Sequence, residues 1–255
     1  MNKLFYYEIK RSYRYLAFMA IFAWVFAIIT NFIFKIFKSS SLLISLGFYL
    51  VLGVIFLINL VYFTYRYRRD LFSKSSYFTF SISISTSKII LAKLLAGLMS
   101  CFICLGLYVG AFDLINLAFG LDRTALLSFS SYALFSILLY WLLAYVFLTI
   151  GINLSKVKLF KKYYEFVSLV FSVVMLVLVM WIMRNLYRLK PLMIDLKDFS
   201  IRSLSRVNGV DFFMIYYDIN NRVLGINLWI LLLACFLVAF GFFINVYLVE
   251  EKIDL

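Results

Sequence analysis

Cys101 and Cys104 stand three residues apart, the spacing of a redox pair or of half a metal site. No second ligand pair accompanies them, and both lie inside an apolar run. They read as small side chains packing in a helix. Histidine is absent. That removes HExxH zinc sites, Ser-His-Asp triads, Cys-His dyads and His-ligated haem together. No GxxxxGK[ST] occurs, so any use of nucleotide would need a site on another chain. The remaining candidates are polar groups in apolar surroundings: Asn31, Asn59, Asn153, Asn245, Asp113, Asn116 and Glu165. Such groups are costly in lipid and tend to carry function. No apolar run holds two acids at mid-depth, which disfavours an ion-coupled carrier. The asparagines suit interhelical hydrogen bonds better than substrate ligation.

These groups must be positioned by membrane elements. Of the 255 residues, 65% are hydrophobic and 15% charged, against roughly half and a quarter in soluble domains. The composition excludes a soluble enzyme and a disordered tail. The net charge of +13 comes in short runs between apolar stretches, the pattern of loops at an anionic leaflet and not of a nucleic-acid surface. A helical span needs about 20 apolar residues. Six windows qualify, at 16–34, 42–64, 89–111, 132–152, 166–183 and 228–249. None alternates as barrel strands do. The expected fold is an all-α integral membrane protein with six transmembrane helices in one transmembrane domain, 1–255. The start of the chain lacks the pattern of a cleavable signal, so the first window reads as a retained span.

Lys and Arg cluster in the N-terminal segment, in the loop 65–88, and around Lys156–Lys162, while the first and third loops are poor in them. By the positive-inside rule those basic segments are cytoplasmic, as are both termini. The sequon Asn153-Leu154-Ser155 then faces the cytoplasm and is coincidental. Within 1–15, Phe5, Ile9 and Tyr13 recur at helical spacing, and Lys3, Lys10 and Arg14 lie on another face. This describes an interfacial amphipathic helix, or the positive flank that orients the first span. Gly106 and Gly110 form a GxxxG, a helix-association signal.

Three loops exceed a tight turn. The first, 65–88, mixes Arg68, Arg69, Asp70 and Lys74 with Leu71, Phe72 and Tyr77. Apolar side chains there need a surface to bury against, either the membrane interface or a partner protein. Lys158, Leu159, Phe160 and Lys161 repeat that chemistry in a smaller cytoplasmic cluster. The last of these long loops, 184–227, is the fifth loop of the chain and is extracytoplasmic in this topology. It holds seven basic and four acidic residues among many apolar ones. Short helices dipping into the outer leaflet, or a folded cap on the helix ends, would account for it.

Residues 69–95, RDLFSKSSYFTFSISISTSKIILAKLL, resemble the segment after the second span of ABC-2-type transporter permeases, the membrane subunits of many bacterial ABC exporters. Asp70-Leu71-Phe72, Tyr77-Phe78-Thr79-Phe80, Ser87-Lys88 and Lys93-Leu94-Leu95 carry the likeness. Ser81-Ile82 stands where that family often has Leu-Pro, and Ser76 where Gly is common. The resemblance implies a coupling helix in 65–88 that docks on a separate ATPase subunit. Lys158–Lys161 would make a second contact, and the N-terminal segment would be the connecting helix. It also implies a second permease copy or paralogue, ATP and Mg bound only by the partner ATPase, and no catalysis by this chain. An amphipathic or hydrophobic cargo such as a peptide antibiotic, a lipid or a drug is then expected, in a bacterial cytoplasmic membrane. A non-transport membrane scaffold or an ion-coupled secondary carrier is the alternative.

Overall fold

The computed structural model describes residues 2–37, 41–72, 85–118, 124–157, 164–187, 192–195, 200–203, 215–218 and 223–252. Helix α1 spans Asn2–Arg11 and α2 Tyr13–Phe37. Helices α3 (Ser41–Phe72), α4 (Thr86–Ala118), α5 (Thr124–Ser155) and α6 (Tyr164–Tyr187) follow. Strands β1 (Leu192–Asp195), β2 (Ile201–Ser203), β3 (Ile215–Asp218) and β4 (Val223–Asn227) precede α7, Leu228–Tyr247. A π-helical turn, Leu248–Lys252, extends α7. Each window expected to span falls within a helix. Five helices are long and apolar enough to cross a membrane: α2, α3, α4, α5 and α7. In α6 the shorter stretch Phe166–Val179 is apolar. Lipid offers no hydrogen-bonding partner, so runs this apolar satisfy their backbone internally as helices.

The segment 184–227 departs from the expected short helices and from an all-α fold. Its described part continues α6 to Tyr187 and then forms a four-stranded antiparallel sheet of order β2-β1-β4-β3. Met193 pairs with Arg202, Ile194 with Ile226, and Tyr216 with Gly225. The physical reason is composition. Ile215-Tyr216-Tyr217 and Val223-Leu224-Gly225-Ile226 are rich in β-branched and aromatic residues that suit a pleated surface. Strand β4 passes into α7 without a linker. Asn227 caps that helix, its Oδ1 accepting from Trp229 N at 2.9 Å and Ile230 N at 3.3 Å.

The chain divides into two compact units. The first comprises residues 1–67 and 87–134, the second 68–86 and 135–255. In the first, α2 presents Met19, Ala23 and Ala27 to the interior, and α3 presents Phe48, Leu52 and Ile55. Phe48 packs on Tyr108 and Phe112 of α4, with ring centroids 5.5 and 4.8 Å apart. Tyr15 stacks on Tyr62 at 3.8 Å. Outward residues such as Phe18, Ile21, Val25 and Phe32 are large and apolar, as a lipid-facing stripe requires.

In the second unit α5 is the core element, with Trp141, Tyr145, Val146, Phe147 and Ile150 buried along it. Two glycines set its helix contacts. A Cβ on Gly151 would come within 2.7 Å of Ser172 Oγ and 2.8 Å of the Ser168 carbonyl of α6. A Cβ on Gly241 of α7 would overlap Val146 Cγ1 of α5. Small residues are what allow such close approach where no hydrophobic effect drives helices together. Gly106 and Gly110, by contrast, have nothing within 4 Å of an added Cβ, so among the described residues no helix approaches their GxxxG closely.

Gly241→Ala should therefore destabilise the protein by about 1–3 kcal/mol through overpacking against Val146. Gly53→Ala, which meets nothing within 4 Å, should be neutral or slightly stabilising. Thermal unfolding in detergent distinguishes them. Equal melting temperatures for the two variants would contradict the close α5–α7 approach.

Candidate functional site

Glu8 is the only acidic residue among the first 69. It sits one turn before the end of α1 and is buried. Its Oε2 accepts from Arg66 Nη2 at 2.6 Å, and its Oε1 from Lys93 Nζ at 3.0 Å. Arg66 Nη2 also donates to the Glu8 carbonyl at 3.2 Å, and Arg66 Nη1 donates to Ser12 Oγ. Ser12 Oγ in turn donates to the Glu8 carbonyl at 3.0 Å. All three charged side chains are at most 8% exposed. Arg66 thus meets the carboxylate and the carbonyl end of α1 together, where the helix dipole is negative.

Each member is placed by its element. Arg66 stands six residues before the end of α3, and Lys93 seven residues into α4, so both are about 10 Å along their helices from those ends. Lys93 interrupts the run Ile89-Ile90-Leu91-Ala92 and Leu94-Leu95. An ammonium at that depth requires a carboxylate, which α1 supplies. Phe5, Glu8, Ile9 and Ser12 follow i, i+3, i+4, i+7 and define the inward face, Glu8 and Ser12 buried and Phe5 and Ile9 half-buried. Chemically the cluster is a charge-assisted clamp. It joins α1, α3 and α4 at one end of the first unit.

Further along α3, Asn59 is fully buried. Cys101 and Cys104 are both buried in α4. Among the described residues no group of three His, Cys, Asp or Glu could hold a metal ion. Asn31 donates within its own helix to the Ala27 carbonyl at 2.9 Å, not across to a neighbour. In the second unit Asn153 of α5 donates to Asn245 Oδ1 of α7 at 2.7 Å, the interhelical bond expected of intramembrane asparagines. Asn245 Nδ2 reaches Thr149 Oγ1 at 3.0 Å and the Val146 carbonyl at 3.3 Å. Asn153 is fully buried and is no glycosylation acceptor in this state.

The residues singled out from sequence are distributed unevenly. Arg68, Arg69, Asp70, Leu71 and Phe72 are not loop residues, because α3 continues through Phe72. Arg68 and Arg69 are exposed, with Arg69 Nε 3.9 Å from Asp70 Oδ1. Leu71 is 0% exposed and Phe72 half-buried, so of the expected exposed Leu-Phe pair Leu71 is packed inside the chain. Lys156 Nζ lies 5.6 Å from the Phe72 ring centroid. An amphipathic helix extension buries its apolar side, which explains the difference. Lys74, Tyr77, Lys158, Leu159, Phe160 and Lys161 lie outside the described residues. Tyr13 is 71% exposed, because the turn at Ser12 carries it off the face of Phe5 and Ile9. Sequence reasoning grouped the apolar residues of α1 and missed Glu8 and Lys93. The legible signals were a lone acid in a basic helix and a lone lysine in an apolar run.

Glu8→Gln leaves two buried cations without their carboxylate and should cost about 3–5 kcal/mol, read as a lowered melting temperature. Glu8→Leu combined with Lys93→Met should recover part of that loss. Unchanged melting of Glu8→Gln would show that the cluster does not hold α1. Compared with family models, curated proteins and solved structures, the chain matches none.

Proposed function

We propose that this chain is the permease subunit of a bacterial ABC exporter. It would cross the cytoplasmic membrane six times, with both termini cytoplasmic, and carry an amphipathic or hydrophobic cargo, a peptide antibiotic before a lipid or drug. The observation that carries the reading is the segment 69–95. Its likeness to ABC-2-type permeases falls where α3 ends and α4 begins, the position at which such permeases meet their ATPase. Helices α2 to α7 supply the six crossings, with α6 the least apolar stretch. The sheet region then lies on the outer side, and α1 serves as the connecting helix.

In this reading ATP and Mg are bound by a partner ATPase, and this chain does no covalent chemistry. Closure of the ATPase pair pushes on the α3–α4 connection. Arg68 and Arg69, exposed at the end of α3, are the charged rim of that contact. Leu71 and Phe72 stiffen the helix end from inside, a change from their expected role as anchors. A second permease would pack against the open Gly106 and Gly110 face of α4.

A second reading has one observation in its favour. Arg66 and Lys93 are buried ionisable groups within spans, paired with Glu8, and intramembrane ion pairs mark ion-coupled carriers. That carrier would run without ATP and would stop on neutralisation of Asp113 or Glu165.

Mild-detergent purification of the tagged protein from its host, with partners identified by mass spectrometry, tests the proposal. A stoichiometric P-loop ATPase is expected. Recovery of the chain alone, after crosslinking in intact membranes, favours a carrier or scaffold. Arg68→Glu with Arg69→Glu should lower ATP-driven transport at least about tenfold, the loss of a charged interface contact, with normal insertion. Full transport by that variant would remove the coupling assignment. Gly106→Ile with Gly110→Ile should weaken self-association about tenfold in a crosslinking titration.

A further inference from the structure

The clamp on Glu8 fixes which side of α1 faces away from the protein. Along that side of α1, Lys3, Tyr6, Tyr7 and Lys10 follow one helical stripe, Tyr13 and Arg14 come next in the first turn of α2, and all six are exposed. The three tyrosines are 66%, 58% and 71% exposed. No acidic residue interrupts the stripe, because the only acid in this part of the chain is turned inward to Arg66 and Lys93. Further along α2 the exposed residues change character abruptly to Phe18, Ile21, Val25, Ile28 and Phe32.

We infer that this Lys/Arg-tyrosine face is a binding surface for the headgroups of anionic phospholipids. Three observations select that occupant. Tyrosine has an apolar ring and a polar tip, and it favours the headgroup level of a bilayer. Ammonium and guanidinium groups recognise phosphate through charge-assisted hydrogen bonds and are drawn to an anionic leaflet. The switch from exposed cationic and tyrosine residues to exposed large aliphatic and aromatic ones between Arg14 and Phe18 follows the order of headgroup and acyl chain. A soluble protein partner would have no cause to match that order. Glu8 is the positioning residue of the surface. It touches no lipid, but its ion pairs keep α1 rotated with the basic stripe outward. The inference does not depend on the transporter reading, since a carrier or scaffold would present the same face.

The test uses the full-length protein in nanodiscs of phosphatidylcholine alone or of an equimolar mixture with phosphatidylglycerol. Hydrogen–deuterium exchange of residues 2–14 reports the site. Spin-labelled phosphatidylglycerol and phosphatidylcholine report lipid preference. Phosphatidylglycerol should slow exchange at least about fivefold, the contribution expected of a single cation at the surface, and raised salt should reverse the effect. Lys3→Gln with Lys10→Gln and Arg14→Gln should abolish the lipid dependence while leaving the melting temperature unchanged. Glu8→Gln should speed exchange in both lipids, by releasing the helix itself. Equal exchange of the wild type in the two lipids would overturn the inference, as would a phosphatidylglycerol preference that survives in the triple variant. Protection by a co-purifying protein, unaltered by added phosphatidylglycerol, would assign the face to that protein instead.

Discussion

A carboxylate shared between a guanidinium and an ammonium determines where the first helix can lie. Lys93 and Arg66 are too deep along their helices to be left without a counter-charge, and Glu8 is the only carboxylate in the first 69 residues. Much of the local architecture follows. The inward face of α1 must carry a Glu and a Ser among its apolar residues, the chain must turn at Ser12, and α2 must begin there. The same pairing leaves the remaining surface of α1 with cations and tyrosines and no acid. An ion cluster of this kind is weak evidence for stability compared with a hydrophobic replacement. Its specific value is that it accepts one docking geometry and penalises every other, which suits a short helix with little apolar area of its own.

The second unit solves the same problem of specificity by different means. Lipid tails are as apolar as leucine, so burial alone does not choose helix partners. Here the choice rests on Gly151 and Gly241, which bring backbones close to Ser168, Ser172 and Val146. The Asn153–Asn245–Thr149 network fixes the register of α5 and α7. A slip of one residue would strand both amides in an apolar interior, at a cost of several hydrogen bonds. Charge thus orders the first unit, and neutral amides with small residues order the second.

The helices were the legible part of the fold. An apolar run of some 20 residues has one solution in lipid, and each such run proved helical. Less legible was where helices end. Charge replaces hydrophobicity from Arg68 to Phe72, which points to a loop, yet α3 continues through them with Leu71 turned inward. Polarity marks the edge of the membrane, not the edge of a helix. The strands of 192–227 were hidden for a related reason. Segments of three to five residues show too few alternations to stand out in an aromatic-rich loop, although Ile215-Tyr216-Tyr217 carried strand propensity. In the candidate site, Tyr13 was grouped with Phe5 and Ile9 by an unbroken helical period, and the turn at Ser12 breaks that period. Glu8 escaped notice because its partners lie 58 and 85 residues away, a distance that no local pattern spans.

Strand β4 and helix α7 meet without an intervening residue, and Asn227 closes the joint by bonding two amides of the helix. Such a junction transmits torque. A rotation or piston movement of α7 must carry β4 with it, and β4 is hydrogen-bonded on both edges, to β1 and to β3. The sheet is therefore a rigid vane on the shaft of the last helix. Displacement of the first turn of α7 reaches the sheet directly, because no linker residue separates them.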